Sequence, residues 1–173
     1  MEGFLNPQEV LKELELRKDM VAADFGSGSG GWVIPLAKIL KDGKVYAIDI
    51  LEEPLSALRG RTKLENINNI ETIRSNVAVK ENLALKNNSL DLVLLTNILF
   101  EANDKEKIIN EAKRVIKKGG RILIVDWLPK STIGPKEKTS SEEIKKILKK
   151  LELQLEKEFE AGSYHWGLIL IKP

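Results

Sequence analysis

The residues whose types and spacing best suit chemistry form an acid followed by alternating glycines near the start of the chain. Residues 21–31, VAADFGSGSGG, run from small apolar side chains through Asp24 into four glycines. An apolar pattern with helical spacing follows from Trp32. A strand that turns through glycines into a helix binds anions and nucleotides, because the backbone can approach the ligand and free N–H groups point toward it. We therefore expect Gly26 and Gly28 to contact a nucleotide.

Two carboxylates belong to this predicted site, and one of them, Asp24, distinguishes between the possible nucleotides. The glycines fit the dinucleotide pattern G-x-G-x-x-G, which alone is a weak match. Asp24, two residues before the first glycine, would leave a pyrophosphate facing an uncompensated negative charge. S-adenosylmethionine instead carries an ammonium and a sulfonium, which a carboxylate favours. Asp49 ends the second predicted strand, where an acid accepts hydrogen bonds from the ribose hydroxyls of either ligand. Ile50, directly after it, is a further candidate for cofactor contact.

The composition limits the class of protein. The chain has 173 residues, enough for one domain with a sizeable core, and no cysteine. Disulfides, thiolate metal sites and cysteine nucleophiles are thereby excluded, and we predict no metal site. A net charge of +2 makes no strong case for nucleic acid or a membrane as partner. No apolar run approaches the ~20 residues of a membrane span, and the first ten residues lack a signal-peptide pattern, so we predict a cytoplasmic protein.

Predicted strands and helices alternate along most of the chain. The predicted strands cover residues 20–25, 44–49, 70–74, 90–95, 121–126, 153–160 and 166–172. The predicted helices run from Asn6 to about 18, from 30 to 41, from 53 to 65, from Asp104 to about 118, and onward from Ser140. Strands that are apolar on both faces indicate a parallel sheet with helices on each side. Too few residues separate the last two strands for a crossover helix, so they must form an antiparallel hairpin.

Three stretches together resemble the class I S-adenosylmethionine-dependent methyltransferases. Residues 24–30, DFGSGSG, match the first motif of that family, and residues 90–127 are similar to its fourth and fifth motifs. The ending SYHWGLILIKP is similar to endings among the small methyltransferases of ubiquinone and menaquinone biosynthesis. The resemblance covers about residues 19–173, with residues 1–18 as an N-terminal helix and lid. It implies a Rossmann-like, doubly wound α/β/α fold whose seven strands take the order 3-2-1-4-5-7-6, strand seven being antiparallel.

The resemblance also implies roles for residues that follow strands three and four. The family usually has an acid after strand three that contacts the adenine amino group, whereas this chain has Asn76, whose side-chain oxygen can accept the same bond. The turn that begins at Thr96 lines the methionine moiety in the family. A histidine is common near position 100, where this chain has Phe100.

Candidate catalytic residues come from the ends of strand five and of the final hairpin. Because strand six runs parallel to the first five, we expect the hairpin tip at 162–165 to lie at the same sheet edge as the glycine turn. His165, with an unperturbed pKa of about 6.5, is then a candidate base beside Tyr164. Asp126 ends strand five at that edge and could orient His165 or act in its place. Residues 1–17, the loop 127–139 and the hairpin tip are the candidate lid, which Phe4, Phe100, Trp127 and Tyr164 could make partly apolar.

These patterns predict methyl transfer to a small molecule by direct displacement at the sulfonium methyl group. The turn after strand four, TNIL at residues 96–99, lacks the prolines that enzymes methylating DNA amino groups use. Asp126 alone is a poor magnesium site, which argues against metal-assisted catechol methylation. Two alternatives stay open: an NAD(P)-dependent oxidoreductase, which Asp24 argues against, and a non-enzymatic S-adenosylmethionine-binding module.

Overall fold

The computed structural model describes residues 3–79 and 83–173. The helices in these ranges are α1 (Pro7–Leu11), α2 (Val33–Ile39), α3 (Glu52–Leu64), α4 (Lys105–Val115) and α5 (Ser141–Lys150). The strands are β1 (Val21–Phe25), β2 (Lys44–Asp49), β3 (Ile70–Arg74), β4 (Leu90–Thr96), β5 (Ile116–Trp127), β6 (Gln154–Glu160) and β7 (His165–Ile171). None of the helices described is long and apolar enough to cross a membrane.

All seven strands form one sheet in the order β3-β2-β1-β4-β5-β7-β6. The first five strands pair in parallel, and β7 lies antiparallel between β5 and β6. The predicted fold class and strand order are therefore confirmed. Since β6 is antiparallel to β7, it runs in the same direction as β1–β5, and the β6–β7 hairpin tip lies at the carboxyl edge of the sheet.

Helices cover both faces of the sheet, because successive side chains of a strand point to opposite sides. One face, with Ala22, Ala47 and Leu94, packs with buried residues of α1, α2 and α3. The other face, with Ala23 and Leu95, packs with buried residues of α4 and α5. This is the predicted α/β/α arrangement.

The N-terminal helix is shorter than the apolar pattern indicated. Asn6 caps it as expected, accepting from the Gln8 N–H through Oδ1 at 3.0 Å. The helix ends at Leu11, because i→i+3 bonds from the N–H groups of Glu13 and Leu14 tighten the chain. Leu14 is buried, but it lies in this turn and not in a continuing helix.

The segment after α4 also differs from the prediction, in which residues up to about 118 continued the helix. β5 begins at Ile116, which pairs with Leu90, and the ladder shifts register before Arg121 pairs with Leu92. Gly119 has a φ of +76°, and a Cβ on Gly120 would lie 2.9 Å from the Lys117 carbonyl oxygen. The two glycines therefore form an irregularity in a strand. The helical turn predicted near 78–84 includes residues 80–82, which lie outside the described residues.

Candidate cofactor and acceptor site

The turn after β1 is built from glycines in left-handed backbone conformations. Gly26 has a φ of +76° and Gly28 a φ of +51°. The N–H groups of Gly26 and Ser27 both donate to the Ile48 carbonyl, at 2.8 and 2.9 Å, which ties the turn to the end of β2. A Cβ on Gly28 would meet no atom within 4 Å, whereas one on Gly26 would lie 2.9 Å from Ile98 Cδ1. The turn therefore leaves open space beside Gly28.

Asp49 is fixed at the end of β2 by two backbone donors. Its Oδ2 accepts from the Gly28 N–H at 2.9 Å, and its Oδ1 accepts from the Leu51 N–H at 3.0 Å. A carboxylate offers about four acceptor positions, so both oxygens keep capacity for hydroxyl donors such as those of a ribose. Ile50 is 55% exposed beside it and presents an apolar surface.

A cavity of about 340 Å³ opens over this edge of the sheet. It is lined by Gly26, by residues at the end of β2 and after β2, β3 and β4, and by Ile108 of α4. The residues from the strand ends and the following turns are Ile48, Asp49, Ile50, Ser75, Asn76, Val77, Ala78, Asn97, Ile98, Glu101 and Ala102. Its size is in the range of small-ligand sites. A smaller cavity of about 200 Å³ lies at the opposite edge, between Leu14 and the strand irregularity at 117–120, away from the glycine turn.

Asp24 is the most unusual carboxylate of this edge. It is fully buried, and neither of its oxygens has a hydrogen-bond partner among residues 3–79 and 83–173. Burial, and to a lesser extent the charge of Asp49, raises the pKa of Asp24 well above its ordinary value. A buried carboxylate without a partner is costly, and a cationic ligand group would remove that cost. The orphaned carboxylate, the open glycine turn and Asp49 fit S-adenosylmethionine, with Asp24 near its ammonium and Asp49 on its ribose.

The turn after β4 differs in detail from the prediction. Thr96 is buried and is not part of the cavity wall, whereas Asn97 and Ile98 are. Asn97 has a φ of +52°, and its N–H donates to the Val125 carbonyl at 2.8 Å. Asn97 Oδ1 and Ser27 Oγ are both buried, and neither has a partner among the residues that the structure describes. Sequence reasoning assigned no role to Ser27 or Glu101; an asparagine after a buried strand, a residue type that tolerates left-handed backbone, was the available signal for Asn97.

Asn76 lines the cavity as expected, but its side-chain oxygen already accepts a hydrogen bond. Oδ1 accepts from the Ala78 N–H at 2.9 Å, which closes a turn after β3. The oxygen keeps a second acceptor position and the amide nitrogen offers two donors, so Asn76 can still accept from a ligand or donate to it. The predicted acceptor role of this residue stays a prediction.

The β6–β7 hairpin brings His165 to the same edge. His165 pairs with Trp127 across the β5–β7 ladder, and their ring centroids are 4.1 Å apart. Both imidazole nitrogens are buried and have no partner in the described parts of the chain, and burial lowers the pKa of His165. The ring is therefore neutral at pH 7. Tyr164 is half-buried, with its ring 5.6 Å from that of Phe4.

Asp126 is not brought to His165. Side chains alternate along β5, so Asp126 lies on the face opposite to Trp127 and its cross-strand neighbour His165. Its Oδ2 accepts from the N–H groups of Leu99 and Phe100 at 3.1 and 3.0 Å, and its Oδ1 accepts from its neighbour's N–H at 2.8 Å. Burial raises the pKa of Asp126 to about 6, although the three donated hydrogen bonds lower it. These contacts indicate that Asp126 positions the loop after β4. They do not favour Asp126 as a base or as a residue that orients His165.

No group of three or more histidine, aspartate or glutamate side chains suited to a metal ion occurs in the described part of the chain. The two carboxylates at the centre of the edge, Asp24 and Asp49, lie on neighbouring strands on the same face.

Comparison with known proteins agrees with this geometry. Residues 16–164 match the family model of a methyltransferase domain. The chain is 26% identical over 128 residues to a demethylmenaquinone methyltransferase of Bacillus mycoides, covering 73% of this chain and 53% of that protein. It is 31% identical over 116 residues to a ubiquinone/menaquinone biosynthesis C-methyltransferase of Escherichia coli, covering 65% of this chain and 44% of that protein. The chain thus spans about half the length of the curated relatives it matches.

Two solved structures are similar over nearly the whole chain. A SAM-dependent methyltransferase from Aquifex aeolicus is 28% identical with a TM-score of 0.88, covering 98% of this chain and 90% of that one. A methyltransferase from Sulfolobus solfataricus that is assigned to type 11 is 28% identical with a TM-score of 0.76, covering 99% of this chain and 95% of that one. With the strand order, the glycine turn and the family match all in agreement, this chain belongs to the class I S-adenosylmethionine-dependent methyltransferases.

Proposed function

We propose that this protein transfers the methyl group of S-adenosylmethionine to a small-molecule acceptor by direct displacement. The observation that carries the proposal is the fully buried Asp24 carboxylate, which has no partner among the described residues and lies beside an open glycine turn. A pyrophosphate at this turn would worsen the electrostatics of Asp24, whereas an ammonium improves them. The oxidoreductase alternative therefore lacks support from both the site and the family.

Residues at the carboxyl edge of the sheet divide the work of binding; Asp49 and Asn97 line the cavity, whereas Asp24 and Ser27 lie outside its wall. The cofactor, when bound, supplies a methyl group on a cationic sulfur, which makes the methyl carbon electrophilic. Asp24 balances the positive charge at the methionine end, and Asp49 accepts hydrogen bonds from the ribose. Ser27 Oγ, in the glycine turn, and Asn97 Oδ1, after β4, are buried without partners among the described residues and offer further polar contacts. Holding nucleophile, carbon and leaving sulfur in line can supply ~7–11 kcal/mol of the barrier.

In this proposal the methyl acceptor lies farther along the same edge of the sheet, beside β5 and β7. Three strand spacings separate β1 from β7, about 14 Å. The neutral imidazole of His165 can take the proton that an O–H or C–H nucleophile loses. The cofactor would supply the methyl group and keep the electron pair of its broken carbon–sulfur bond, and an imidazole nitrogen of His165 would hold the proton that the nucleophile loses. Asp126 acts indirectly, by fixing the N–H groups of Leu99 and Phe100.

The acceptor class is suggested by the names of the relatives, which act on demethylmenaquinone and in ubiquinone and menaquinone biosynthesis. We infer a small planar ring with a hydroxyl group. Trp127 and the Phe4–Tyr164 pair provide the apolar surface that such a ring needs. The lid is formed by the N-terminal segment, whose Gly3 N–H donates to Ser163 Oγ at 3.0 Å and whose Gly3 carbonyl accepts from the Ser163 N–H at 2.8 Å. A cytoplasmic location and the lack of a nucleic-acid partner stay predictions.

The cofactor proposal is tested by ligand-dependent stability. S-adenosylhomocysteine at a hundredfold excess over its dissociation constant should raise the free energy of unfolding by about 2.7 kcal/mol. NAD at the same concentration should leave it unchanged. The measurement is thermal or urea unfolding of the wild-type protein, with Asp49→Ala as the variant that should lose the response. A shift with NAD and none with S-adenosylhomocysteine would overturn the proposal.

Transfer itself is tested in a single turnover. Protein loaded with methyl-labelled S-adenosylmethionine is mixed with a panel of hydroxylated quinols, and the label is followed by mass spectrometry. We expect label in an acceptor. Tight cofactor binding with no transfer to any acceptor would favour the non-enzymatic binding module instead.

A further inference from the structure

The imidazole of His165 has no hydrogen bond that fixes its orientation within the described ranges of the chain. Both ring nitrogens are buried and unpartnered there, and Asp126 lies on the opposite face of the sheet. A histidine base ordinarily keeps one nitrogen on a carboxylate or a carbonyl group, and that bond selects the tautomer and aims the other nitrogen. Packing by neighbouring residues is therefore what can orient this ring.

The indole of Trp127 makes the packing contact with the imidazole. The two ring centroids are 4.1 Å apart and the ring planes are inclined by 40°. Trp127 and His165 are direct partners across the β5–β7 ladder, where side chains on one face of a sheet contact each other. Burial alone lowers the pKa of His165, and no charged group in the described chain contributes to that shift. The surroundings of the imidazole are therefore set by packing rather than by an ion pair.

The backbone of Trp127 is held on both sides of the residue. Its N–H donates to Asp126 Oδ1 at 2.8 Å, and its carbonyl accepts from the buried Trp166 Nε1 at 3.0 Å. The same Trp166 N–H also donates to the Thr139 carbonyl at 2.9 Å. The two ends of the loop 127–139 thus meet at one indole donor, which fixes where this loop leaves and re-enters the fold.

Gly134, in the middle of this loop, lies against the ring of Trp127. A Cβ on Gly134 would lie 2.5, 2.6 and 2.8 Å from Cε3, Cζ3 and Cδ2 of the indole. Three such similar distances place the glycine over the ring rather than beside its edge. Gly134 also has a φ of +90°, a conformation that suits glycine. The loop therefore folds back and packs its own backbone on the indole that contacts His165.

We propose that Trp127 is a positioning residue for His165, and that the loop 127–139 holds Trp127 in place through Gly134. This inference rests on the proposed function, in which His165 takes a proton from the methyl acceptor. Gly134 packs on the indole and the indole packs on the imidazole, so a ring nitrogen stays directed without a carboxylate partner. Trp127 exchanges no proton itself; it restricts the rotation of the imidazole.

The contact is tested by nuclear magnetic resonance, because His165 is the only histidine of the chain and its ring signals are unambiguous. Trp127→Leu should remove the ring-current shift of these signals. It should also raise the pKa of His165 toward its ordinary value of about 6.5, because water then reaches the imidazole. Trp127→Phe keeps an aromatic ring at the contact and should retain most of both effects. This titration needs no substrate, so its result does not depend on the proposed function.

Turnover tests the consequence of the contact. Trp127→Leu should lower kcat by about 10–100-fold, the cost of a base displaced by a fraction of its proper position, and leave the affinity for S-adenosylhomocysteine within a few-fold of wild type. Trp127→Phe should restore most of kcat. Gly134→Ala should lower kcat in the same direction. Gly119→Ala is the matched control, since Gly119 has a φ of +76° but its Cβ would meet no atom within 4 Å.

Each outcome bears on a separate claim. Absence of transfer by the wild-type protein to every acceptor would overturn the proposed function. Normal transfer, with kcat and the His165 signals unchanged in Trp127→Leu, would overturn the positioning role alone. A higher KM at unchanged kcat would make Trp127 a wall of the acceptor site and also overturn that role. If Trp127→Leu does not fold, Gly134→Ala decides, and wild-type kcat with wild-type His165 signals in that variant would overturn the inference.

Discussion

At the scale of single residues, Asp24 shows a conflict between stability and binding. Its carboxylate is buried beside β2 and β4 with no donor in the described chain, a state that costs stability while the protein is free of ligand. Asp126 is equally buried but receives three backbone N–H bonds. The difference indicates that Asp126 belongs to the architecture and that Asp24 awaits a ligand.

Replacing Asp24 by asparagine should therefore stabilise the ligand-free protein at neutral pH. The pKa of Asp24 is raised by folding, so the folded state keeps a proton that the unfolded chain releases, and the free energy of unfolding falls as the pH rises above about 4. The free energy of unfolding of Asp24→Asn does not fall in this way, so at pH 7 it should exceed that of the wild type by about 1–3 kcal/mol. The gain should shrink toward pH 4, where the wild-type carboxyl is protonated.

Urea unfolding at pH 4 and pH 7 measures this difference, and calorimetry should show at least tenfold weaker binding of S-adenosylhomocysteine to Asp24→Asn. Asp42→Asn, at an exposed aspartate, is the control and should change neither quantity by much. A variant that is less stable than wild type at pH 7 would mean that Asp24 has a structural partner after all.

At the scale of elements, the turn between β1 and α2 assigns different tasks to its glycines. Gly30 has a φ of +93°, and a Cβ there would overlap Leu58 Cδ1 and lie 3.5 Å from Ile34 Cδ1. Gly28 has a φ of +51° and open space around its missing side chain. Gly30 lets α3 pack against the turn, whereas Gly28 keeps the ligand side of the turn clear.

Alanine at these two positions should separate folding from binding. Gly30→Ala should lower the free energy of unfolding by more than the ~1–2 kcal/mol of a left-handed residue, because its Cβ also displaces Leu58. In Gly28→Ala the only expected loss of stability is that of holding an alanine in the left-handed backbone conformation. The variant should mainly weaken the binding of S-adenosylhomocysteine. Unfolding in urea and calorimetric titration of both variants measure the two effects. The opposite ranking, with Gly28→Ala the less stable variant, would contradict this division.

At the scale of the whole molecule, the antiparallel β7 is what places an imidazole at the cofactor edge. His165 begins β7 and lies beside Trp127 at the end of β5, while β4 alone separates β5 from β1 and Asp24. Strand alternation puts His165 on the face of Asp24 and Asp49. Residues far apart in the chain thus share one edge and one face, as a base and a cofactor site must.

Substitution of His165 should affect the chemical step and spare the cofactor. If the imidazole takes a proton, His165→Gln should reduce turnover by about 10²–10⁴-fold, with S-adenosylhomocysteine affinity within a few-fold of wild type. Because burial lowers the pKa of His165, wild-type kcat/KM should fall only at pH values below about 6.5, and that fall should be absent from the variant.

Tyr164→Phe provides the comparison, since it keeps the ring beside Phe4 and removes only the hydroxyl. We expect it to change KM more than turnover. A large loss of turnover in Tyr164→Phe with little change in His165→Gln would move the base to the tyrosine hydroxyl.

Local patterns in the sequence were sufficient to predict most strands, the caps of α1, α4 and α5, and the cofactor edge. β2 and β3 match their predicted bounds, because apolar runs bounded by turn residues are local signals. Asn6, Asp104 and Ser140 cap their helices through side-chain oxygens, another interaction between near neighbours. The acid and glycines at 24–30 indicated a cofactor turn for the same reason.

The sequence by itself determined which residue types stand at the carboxyl ends of the strands, and with them the fold class and the cofactor class. Only the tertiary structure decided which of these side chains keep free polar atoms. Asp24 and Asp126 are both acids at strand ends, yet one is left without donors and the other receives three. That difference depends on the path of the loop after β4, which is distant from Asp126 in the sequence. The residues next to Asp24 and Asp126 in the sequence therefore do not indicate it. The hydrogen bonds that the loop after β4 donates to Asp126 were decided in the same way, because partners far apart in the chain are assigned by three-dimensional proximity.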